Sequence, residues 1–184
     1  MMHTCPSTGE NRGYVPDIAR SARRESFKTG GPQSPVPTPW PCHEFRTSWD
    51  ACCREAEHVC STMLAALAEV LGREANEAED LHASHISVME AALYAAGPAD
   101  GLADNSEPWV VCDTHRDLGT LTLIADDRPG LQFRCRPSGR WQDVGDGSQA
   151  GSVVAVAGDI LARWSGASCA PASTGWSARP AGTA

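Results

Sequence analysis

The chain has 184 residues, of which 41% are hydrophobic, and its formal net charge at pH 7 is −8. This length supports one hydrophobic core, and the acidic balance argues against a nucleic-acid partner, which would select a basic surface. No run of 18 apolar residues predicts a membrane span, and the first residues lack the regions of a signal peptide. The eight cysteines include no C-x-x-C pair, which is typical of reduced thiols in a cytoplasmic protein.

The N-terminal part of the chain has no hydrophobic periodicity. Residues 1–12 are polar, and we expect them to be disordered. Residues 13–40 are rich in proline, glycine and serine, as an exposed linker would be. An ordered loop is preferred over a linker because three aromatic side chains could anchor it to a core: Tyr14, Phe27 and Trp40.

The clearest local signal is an amphipathic helix over Ser48–Leu71. Ser48 is a suitable N-cap, and Gly72 suits the position just after the helix end. Apolar residues recur at helical spacing and predict one buried stripe. They are Val59, Met63, Leu64, Leu67, Val70 and Leu71.

The segment from Glu74 to Ser84 is acidic and helix-prone, and Ile86–Tyr94 is typical of a strand. Two histidines between them, His82 and His85, have the i, i+3 spacing of a helical metal chelate. No third ligand follows at a fixed offset, so a solvated surface is the preferred interpretation.

The second half of the chain predicts short strands separated by glycine, proline and aspartate turns. The strands are Trp109–Cys112, Leu121–Ile124, Leu131–Cys135, Trp141–Val144 and Val153–Val156. The third and fourth of these should pair as a hairpin around residues 137–139.

His115 and Asp117 are the candidate metal ligands. In an extended segment, residues i and i+2 point to the same face, so the imidazole and the carboxylate should lie side by side. They would supply two of the three ligands of a 2-His-1-carboxylate iron(II) site, which leaves coordination positions open. The alternative is a surface turn pair without a metal.

Several motifs resemble the isopenicillin-N-synthase-like superfamily of non-haem iron(II) oxygenases, which are mostly 2-oxoglutarate-dependent. The resemblance covers roughly residues 13 to 166 and rests on an ordered series of matches. These are E-S-F at 25–27, W-P at 40–41, H-R-D at 115–117, G-T-L-T-L at 119–123, P-G-L-Q at 129–132, W-Q-D-V at 141–144 and G-D-I-L-A-R-W at 158–164. It implies an α+β fold with a double-stranded β-helix (jelly-roll) core, a long N-terminal helix packed on that core, and a short helical turn at Asp159–Trp164.

The same resemblance implies an oxidoreductase of the Fe(II)/2-oxoglutarate-dependent dioxygenase type. Such an enzyme couples oxidative decarboxylation of 2-oxoglutarate to hydrogen abstraction from a small-molecule substrate. His115 and Asp117 would hold the iron, and no further catalytic residue is assigned. The iron and the cosubstrate carry the chemistry, while the protein orients and shields them.

The C-terminal end departs from the family pattern. No histidine follows His115, although the family's second histidine would fall near Ser173 and Thr174. The family's Arg-x-Ser motif for the 2-oxoglutarate carboxylate is absent as well. No cofactor-binding residue is therefore assigned, and we expect 2-oxoglutarate to bind poorly. An inactive remnant that lacks the third iron ligand and the arginine is the alternative to an active oxygenase.

A change of reading frame at or just before Ala167 would explain this departure. Codons built from the third base of each residue and the first two bases of the next permit Leu-His-Arg-Val, and the histidine codon straddles Ser173 and Thr174. The change could lie in the gene or in its sequencing, and an intact frame in new reads of the DNA would contradict it. We divide the chain into an N-terminal loop segment (1–43), a dioxygenase-like domain (44–166) and a non-family tail (167–184). An expected N-terminal strand is also missing, so the chain resembles the central piece of a longer protein with an incomplete fold.

Overall fold

The structure is a computed structural model, and its described residues fall into two compact units. Of the described residues, the first unit comprises 12–16, 24–31, 34–83 and 87–94, and the second comprises 109–127, 130–144 and 152–178. Each unit has its own small core, whereas the composition favoured a single one.

The first unit contains an antiparallel three-stranded sheet. Its strands are β1 (Gly13–Val15), β2 (Arg24–Gly30) and β3 (Val88–Tyr94), in that order across the sheet. Phe27 of β2 lies opposite Ala91 of β3. Two strands thus lie where we expected a loop. Local composition does not reveal them, because β2 pairs with β3, a strand far away in sequence. The predicted disorder of residues 1–12 falls almost entirely on residues 1–11, which lie outside the described part of the chain.

Helix α1 (His43–Val70) begins well before Ser48, so the predicted N-cap was wrong. The N-cap is Cys42, whose Sγ accepts a hydrogen bond from the backbone N–H of Phe45 at 3.4 Å. The predicted end is confirmed, since Gly72 has a φ of 67° and its N–H donates to the carbonyl of Glu69 at 3.0 Å.

The buried face of α1 is centred on Trp49, Leu64 and Ala68. A second helix, α2 (Ala75–His82), packs against α1. The prediction of a buried Val70 was wrong, because its exposed fraction is 83%. Six residues separate Val70 from Leu64, which places it about 120° away around the helix axis at 3.6 residues per turn.

Aromatic contacts hold α1 against β2. The Phe27 ring centroid lies 5.1 Å from that of Trp49 and 4.9 Å from that of Phe45, edge-on in both cases. The indole Nε1–H of Trp49 donates to the Thr29 hydroxyl at 2.9 Å. Phe27 also contacts Trp40 at 5.7 Å, so two of the three predicted aromatic anchors meet in one cluster.

The second unit contains a four-stranded sheet in the order β4-β9-β6-β7 and a two-stranded sheet of β5 and β8, and all the recorded pairings are antiparallel. The predicted strands and the β6–β7 hairpin are confirmed. Leu131, Val156 and Leu161 are its buried apolar residues. The elements are β4 (Trp109–His115), β5 (Leu121–Ile124), β6 (Leu131–Arg134), β7 (Trp141–Asp143), β8 (Val154–Ala157), α3 (Asp159–Trp164) and β9 (Thr174–Ala178).

Strand β9 lies within the segment that we separated as a non-family tail. It pairs with β4 on one side and with β6 on the other, so it is an internal strand of its sheet. Apolar and polar side chains do not alternate strongly in this segment. The strand is defined instead by its pairing with β4 and β6. No helix in the described part of the chain combines the length and the hydropathy that a membrane span needs.

Candidate metal centre

The structure brings the two predicted ligands together. His115 is the last residue of β4, and Asp117 follows where the strand has ended. The distance from His115 Nε2 to Asp117 Oδ1 is 3.3 Å. The imidazole is half exposed, at 48%, and the carboxylate is 20% exposed, so the pair is open to solvent on one side.

A backbone carbonyl orients the imidazole. His115 Nδ1 lies 2.8 Å from the backbone oxygen of Asp113. A carbonyl oxygen only accepts, so Nδ1 carries the hydrogen in this contact. In the neutral ring Nε2 is then the unprotonated nitrogen, and it is the one that faces Asp117. Metal-binding histidines are oriented by such a bond from their other ring nitrogen.

The start of α3 holds the turn that carries Asp117. The N–H of Asp159 donates to the backbone carbonyl of Asp117 at 2.8 Å, and the N–H of Ile160 donates to that of Gly119 at 3.2 Å. The N–H of Gly158 donates to the carbonyl of Thr120 at 3.1 Å. The first backbone N–H groups of a helix have no acceptor within the helix, and these three hydrogen bonds supply acceptors at the start of α3.

Gly158 permits this close approach. A Cβ atom at this position would lie 2.1 Å from the carbonyl oxygen of Gly119 and 2.8 Å from that of Asp117. Both distances are shorter than any van der Waals contact, so only glycine fits here without a shift of the backbone. In the sequence, Gly158 is distinguished only as part of a family motif.

Strand β9 lies directly beside His115. The residue opposite His115 in the register is Thr174, which is buried with an exposed fraction of 4%. The β4–β9 register shifts between Cys112 and His115, where β4 has one more residue than β9. A bulge of this kind turns the side chains that follow it, and bulges are frequent next to functional sites.

The residues present fit two neighbouring positions on one metal ion. Bonds of about 2.1 Å at a right angle place two donor atoms about 3 Å apart, close to the observed 3.3 Å between Nε2 and Oδ1. The full set of three protein ligands does not fit. Among the described residues, no cluster of three or more His, Cys, Asp or Glu side chains could hold a metal.

Two other candidates do not supply the missing donor. Cys112 Sγ lies 3.9 Å from His115 Nδ1, on the ring nitrogen that faces away from Asp117. His82 Nδ1 contacts the carbonyl of Ala78 at 2.7 Å, one helical turn back. His85 lies outside the described residues, so the predicted surface role of the histidine pair stays a prediction.

Comparison with known proteins finds relatives only among solved structures. No family model matches the chain, and no curated protein matches its sequence. A full-length Neurospora crassa protein, solved in complex with alpha-KG and 5-formyluracil, is 25% identical with a TM-score of 0.74, and the match covers 95% of this chain and 56% of that one. A protein from Caulobacter crescentus assigned to the 2OG-Fe(II) oxygenase family is 20% identical with a TM-score of 0.77, over 97% of this chain and 61% of that one.

The chain has the fold of the 2OG-Fe(II) oxygenases. AtDAO1, the dioxygenase for auxin oxidation from Arabidopsis thaliana, matches in its 2-oxoglutarate complex at 17% identity and a TM-score of 0.73, over 96% of this chain and 64% of that one. This chain spans less than two thirds of the length of these three relatives.

Proposed function

We propose that this chain is an oxidoreductase of the Fe(II)/2-oxoglutarate-dependent dioxygenase type that acts on a small molecule. The single observation that carries the proposal is the His115–Asp117 pair, with 3.3 Å between Nε2 and Oδ1, at the end of β4. A surface turn pair would not need the Nδ1 contact to Asp113 that directs Nε2 toward the carboxylate. The fold of the structural relatives supports the same chemistry.

The protein's own contribution would be to hold and orient two donors. His115 would bind iron(II) through Nε2, and Asp117 through a carboxylate oxygen. When bound, iron and 2-oxoglutarate supply the oxidising chemistry. The turn at the start of α3 keeps Asp117 in place beside the imidazole. No residue is proposed to bind 2-oxoglutarate, because the Arg-x-Ser motif is absent from the sequence.

The narrower assignment to the isopenicillin-N-synthase-like group, with a jelly-roll core, is part of this proposal. It is supported by the ordered motifs between residues 115 and 164, which extend over β4 to α3. The domain bounds 44–166 are proposed on the same motifs. The hypothesis of a changed reading frame near Ala167 gains support from the register, since the histidine of the shifted frame would fall beside His115.

A small-molecule substrate and a reducing compartment complete the proposal. The Neurospora crassa protein was solved with 5-formyluracil and with thymine, which are small planar molecules. The net charge of −8 disfavours a nucleic-acid polymer as substrate. No disulfide joins the cysteines of the described residues, which supports a cytoplasmic location.

Succinate formation tests this function. The purified chain would be incubated with iron(II), 2-oxoglutarate and oxygen, with and without a panel of small molecules, and succinate would be quantified. We expect slow, oxygen-dependent succinate formation, which H115A and D117A reduce by about 10-fold or more, because even loss of a ligand's hydrogen-bonding partner costs about 10–100-fold.

His58→Ala is the matched control, because His58 is an exposed histidine of α1 in the other unit. It should leave the rate unchanged. Equal rates in the wild-type chain and H115A would show that free iron is responsible, and absence of succinate from the wild-type chain would favour the inactive remnant.

A further inference from the structure

Two sulfur atoms meet where α1 packs on the sheet of the first unit. Cys53 is a free thiol, its Sγ lies 3.0 Å from Met89 Sδ, and both side chains are half-buried. We propose that Cys53 and Met89 form a binding site for a soft monovalent cation, copper(I). This site belongs to the first unit, whereas the His115–Asp117 pair belongs to the second, so the inference does not depend on the proposed function.

A neighbouring contact fixes where both sulfur atoms lie. Met89 of β3 is directly opposite Thr29 of β2, so their side chains leave the sheet on the same face. The Thr29 hydroxyl accepts the hydrogen bond of Trp49, and Trp49 and Cys53 are four residues apart on one face of α1. Two side chains of α1 therefore meet two opposed side chains of the sheet, and a buried hydrogen bond holds one of the two contacts.

The donor types select the ion. Thiolate and thioether sulfur are soft ligands, and they favour copper(I) over the ions that carboxylates and water bind. Zinc(II) would need four ligands, and no three His, Cys, Asp or Glu side chains of the described residues form a cluster that could hold a metal. Copper(I) and silver(I) accept two or three ligands, so two protein sulfur atoms suffice and solvent can complete the set.

A small movement of one side chain would admit the ion. Metal–sulfur bonds of about 2.3 Å at an angle of about 120° place two sulfur atoms about 4.0 Å apart. The observed distance is 3.0 Å. Methionine is unbranched and has three rotatable bonds, so rotation of the Met89 side chain can supply the difference of about 1 Å.

The charges around Cys53 favour a cation. Burial raises the pKa of its thiol, the carboxylates of Glu57 and Asp50 raise it further, and Arg54 has a smaller, opposite effect. The negative potential that opposes a thiolate also attracts a positive ion. A thiol binds metal as the thiolate, so Sγ releases its proton to solvent as the ion binds, and the net charge of the site stays the same.

Competition for copper(I) tests the proposal on the whole chain. The reduced protein would be titrated anaerobically with copper(I) against a chromophoric copper(I) chelator, as the wild-type chain, C53S and M89L. We expect the affinity of the most tightly bound ion to fall about tenfold or more in each variant, since loss of a ligand's hydrogen-bonding partner alone costs about 10–100-fold. Cobalt(II), the probe for imidazole and carboxylate ligands at His115 and Asp117, should bind both variants as it binds the wild-type chain.

Cys60→Ser and Met63→Leu are the matched controls. Cys60 and Met63 offer the same two donor types on α1, and both are half-buried. Their Cβ atoms are held about 5–6 Å apart by the helix, whereas the sulfur atoms of Cys53 and Met89 already meet. C60S and M63L should therefore leave the tightest copper(I) affinity unchanged. The proposal is overturned if M89L, folded as the wild type by circular dichroism, binds copper(I) as tightly as M63L, or if C53S and C60S have equal affinities.

Protection from alkylation gives a second measurement that does not depend on affinity. Silver(I), added at one equivalent, should slow iodoacetamide labelling of Cys53, as read by mass spectrometry, and should leave Cys60 labelled. In M89L the protection of Cys53 should decrease. Labelling of Cys53 in the wild-type chain that is as fast with silver(I) as without it would contradict the site.

Discussion

One hydrogen bond decides which nitrogen of His115 is available. The Nδ1–H contact to the Asp113 carbonyl, at 2.8 Å, leaves Nε2 directed at Asp117. A histidine free to rotate would lose side-chain entropy on binding a metal, and this contact reduces that loss. The orientation of the His115 imidazole therefore depends on a backbone carbonyl. The residue types of the two metal ligands alone do not show this.

Gly158→Ala should destabilise the second unit and weaken metal binding. The new Cβ would overlap the carbonyl oxygens of Gly119 and Asp117, so the start of α3 must move away from the turn. Overpacking of this kind costs about 1–3 kcal/mol. Thermal melting and cobalt(II) titration would measure both effects.

Gly119→Ala is the matched control, because a Cβ there meets nothing closer than the Leu121 carbonyl oxygen at 4.0 Å. It should leave the melting temperature and the cobalt(II) affinity almost unchanged. A G158A protein as stable as G119A would show that the close approach does not exist in solution.

Cys135 should be the most rapidly alkylated of three thiols. Hydrogen bonds from the Ser138 side chain and backbone lower its pKa, whereas burial, together with the carboxylates of Glu57 and Asp50, raises the pKa of Cys53. Burial likewise raises the pKa of Cys60. A lower pKa means more thiolate at neutral pH, and the thiolate is the nucleophile. Labelling with iodoacetamide should therefore begin at lower pH for Cys135, as read by mass spectrometry.

Ser138→Ala removes the largest cause of the lowered Cys135 pKa and should slow its alkylation near neutral pH. Ser61→Ala, at an exposed position of α1, is the control and should have no effect. Equal labelling rates for Cys135 in S138A and S61A would contradict the role of Ser138.

At the scale of elements, α1 is fixed to the sheet of its unit by one buried polar contact within an aromatic cluster. Trp49 is 7% exposed and Thr29 is 4% exposed. Their hydrogen bond of 2.9 Å satisfies the only donor of the indole ring. Neither residue alone predicts this pairing, because α1 and β2 are separated by a proline-rich segment.

Thr29→Val should lower the free energy of unfolding by about 1–3 kcal/mol, because it leaves the buried indole N–H without an acceptor. Chemical denaturation followed by tryptophan fluorescence would measure the change. Thr29→Ser keeps the hydroxyl and should cost less. If T29V is as stable as T29S, the hydrogen bond does not contribute to the stability of the unit.

At the scale of the whole chain, sequence reasoning recovered the elements with strong local signals. The strands from β3 to β8, the end of α1 at Gly72 and the bounds of α3 follow from periodicity, turn chemistry or family motifs. Strands β1, β2 and β9 were missed, because their own composition does not mark them: β2 and β9 pair with strands distant in sequence, and β1 pairs with β2. The two donors of the candidate site were predicted from an i, i+2 spacing, and the structure places them 3.3 Å apart.

Family spacing places the missing histidine near Ser173 and Thr174, but it does not say which of these residues faces His115 across the sheet. The absence of a second histidine was evident, but the position of its substitute depends on register and on the irregularity in β4. A one-residue slip of β9 would exchange the faces of Thr174 and Gly175. Register is a tertiary property, so no local pattern in residues 167–178 could have specified it.

The internal position of β9 has a consequence for how the second unit is made. Strands β4 and β6 do not pair with each other, and β9 connects them although it follows both in the chain. During synthesis, the ribosome releases β4 through β7 before the strand that joins them has emerged. Pairing between strands that are distant in sequence is slow, because the chain loses the entropy of loop closure before the stabilising contacts form. Until β9 arrives, the edges of β4 and β6 are exposed, and this interval is when the nascent chain has most need of a chaperone.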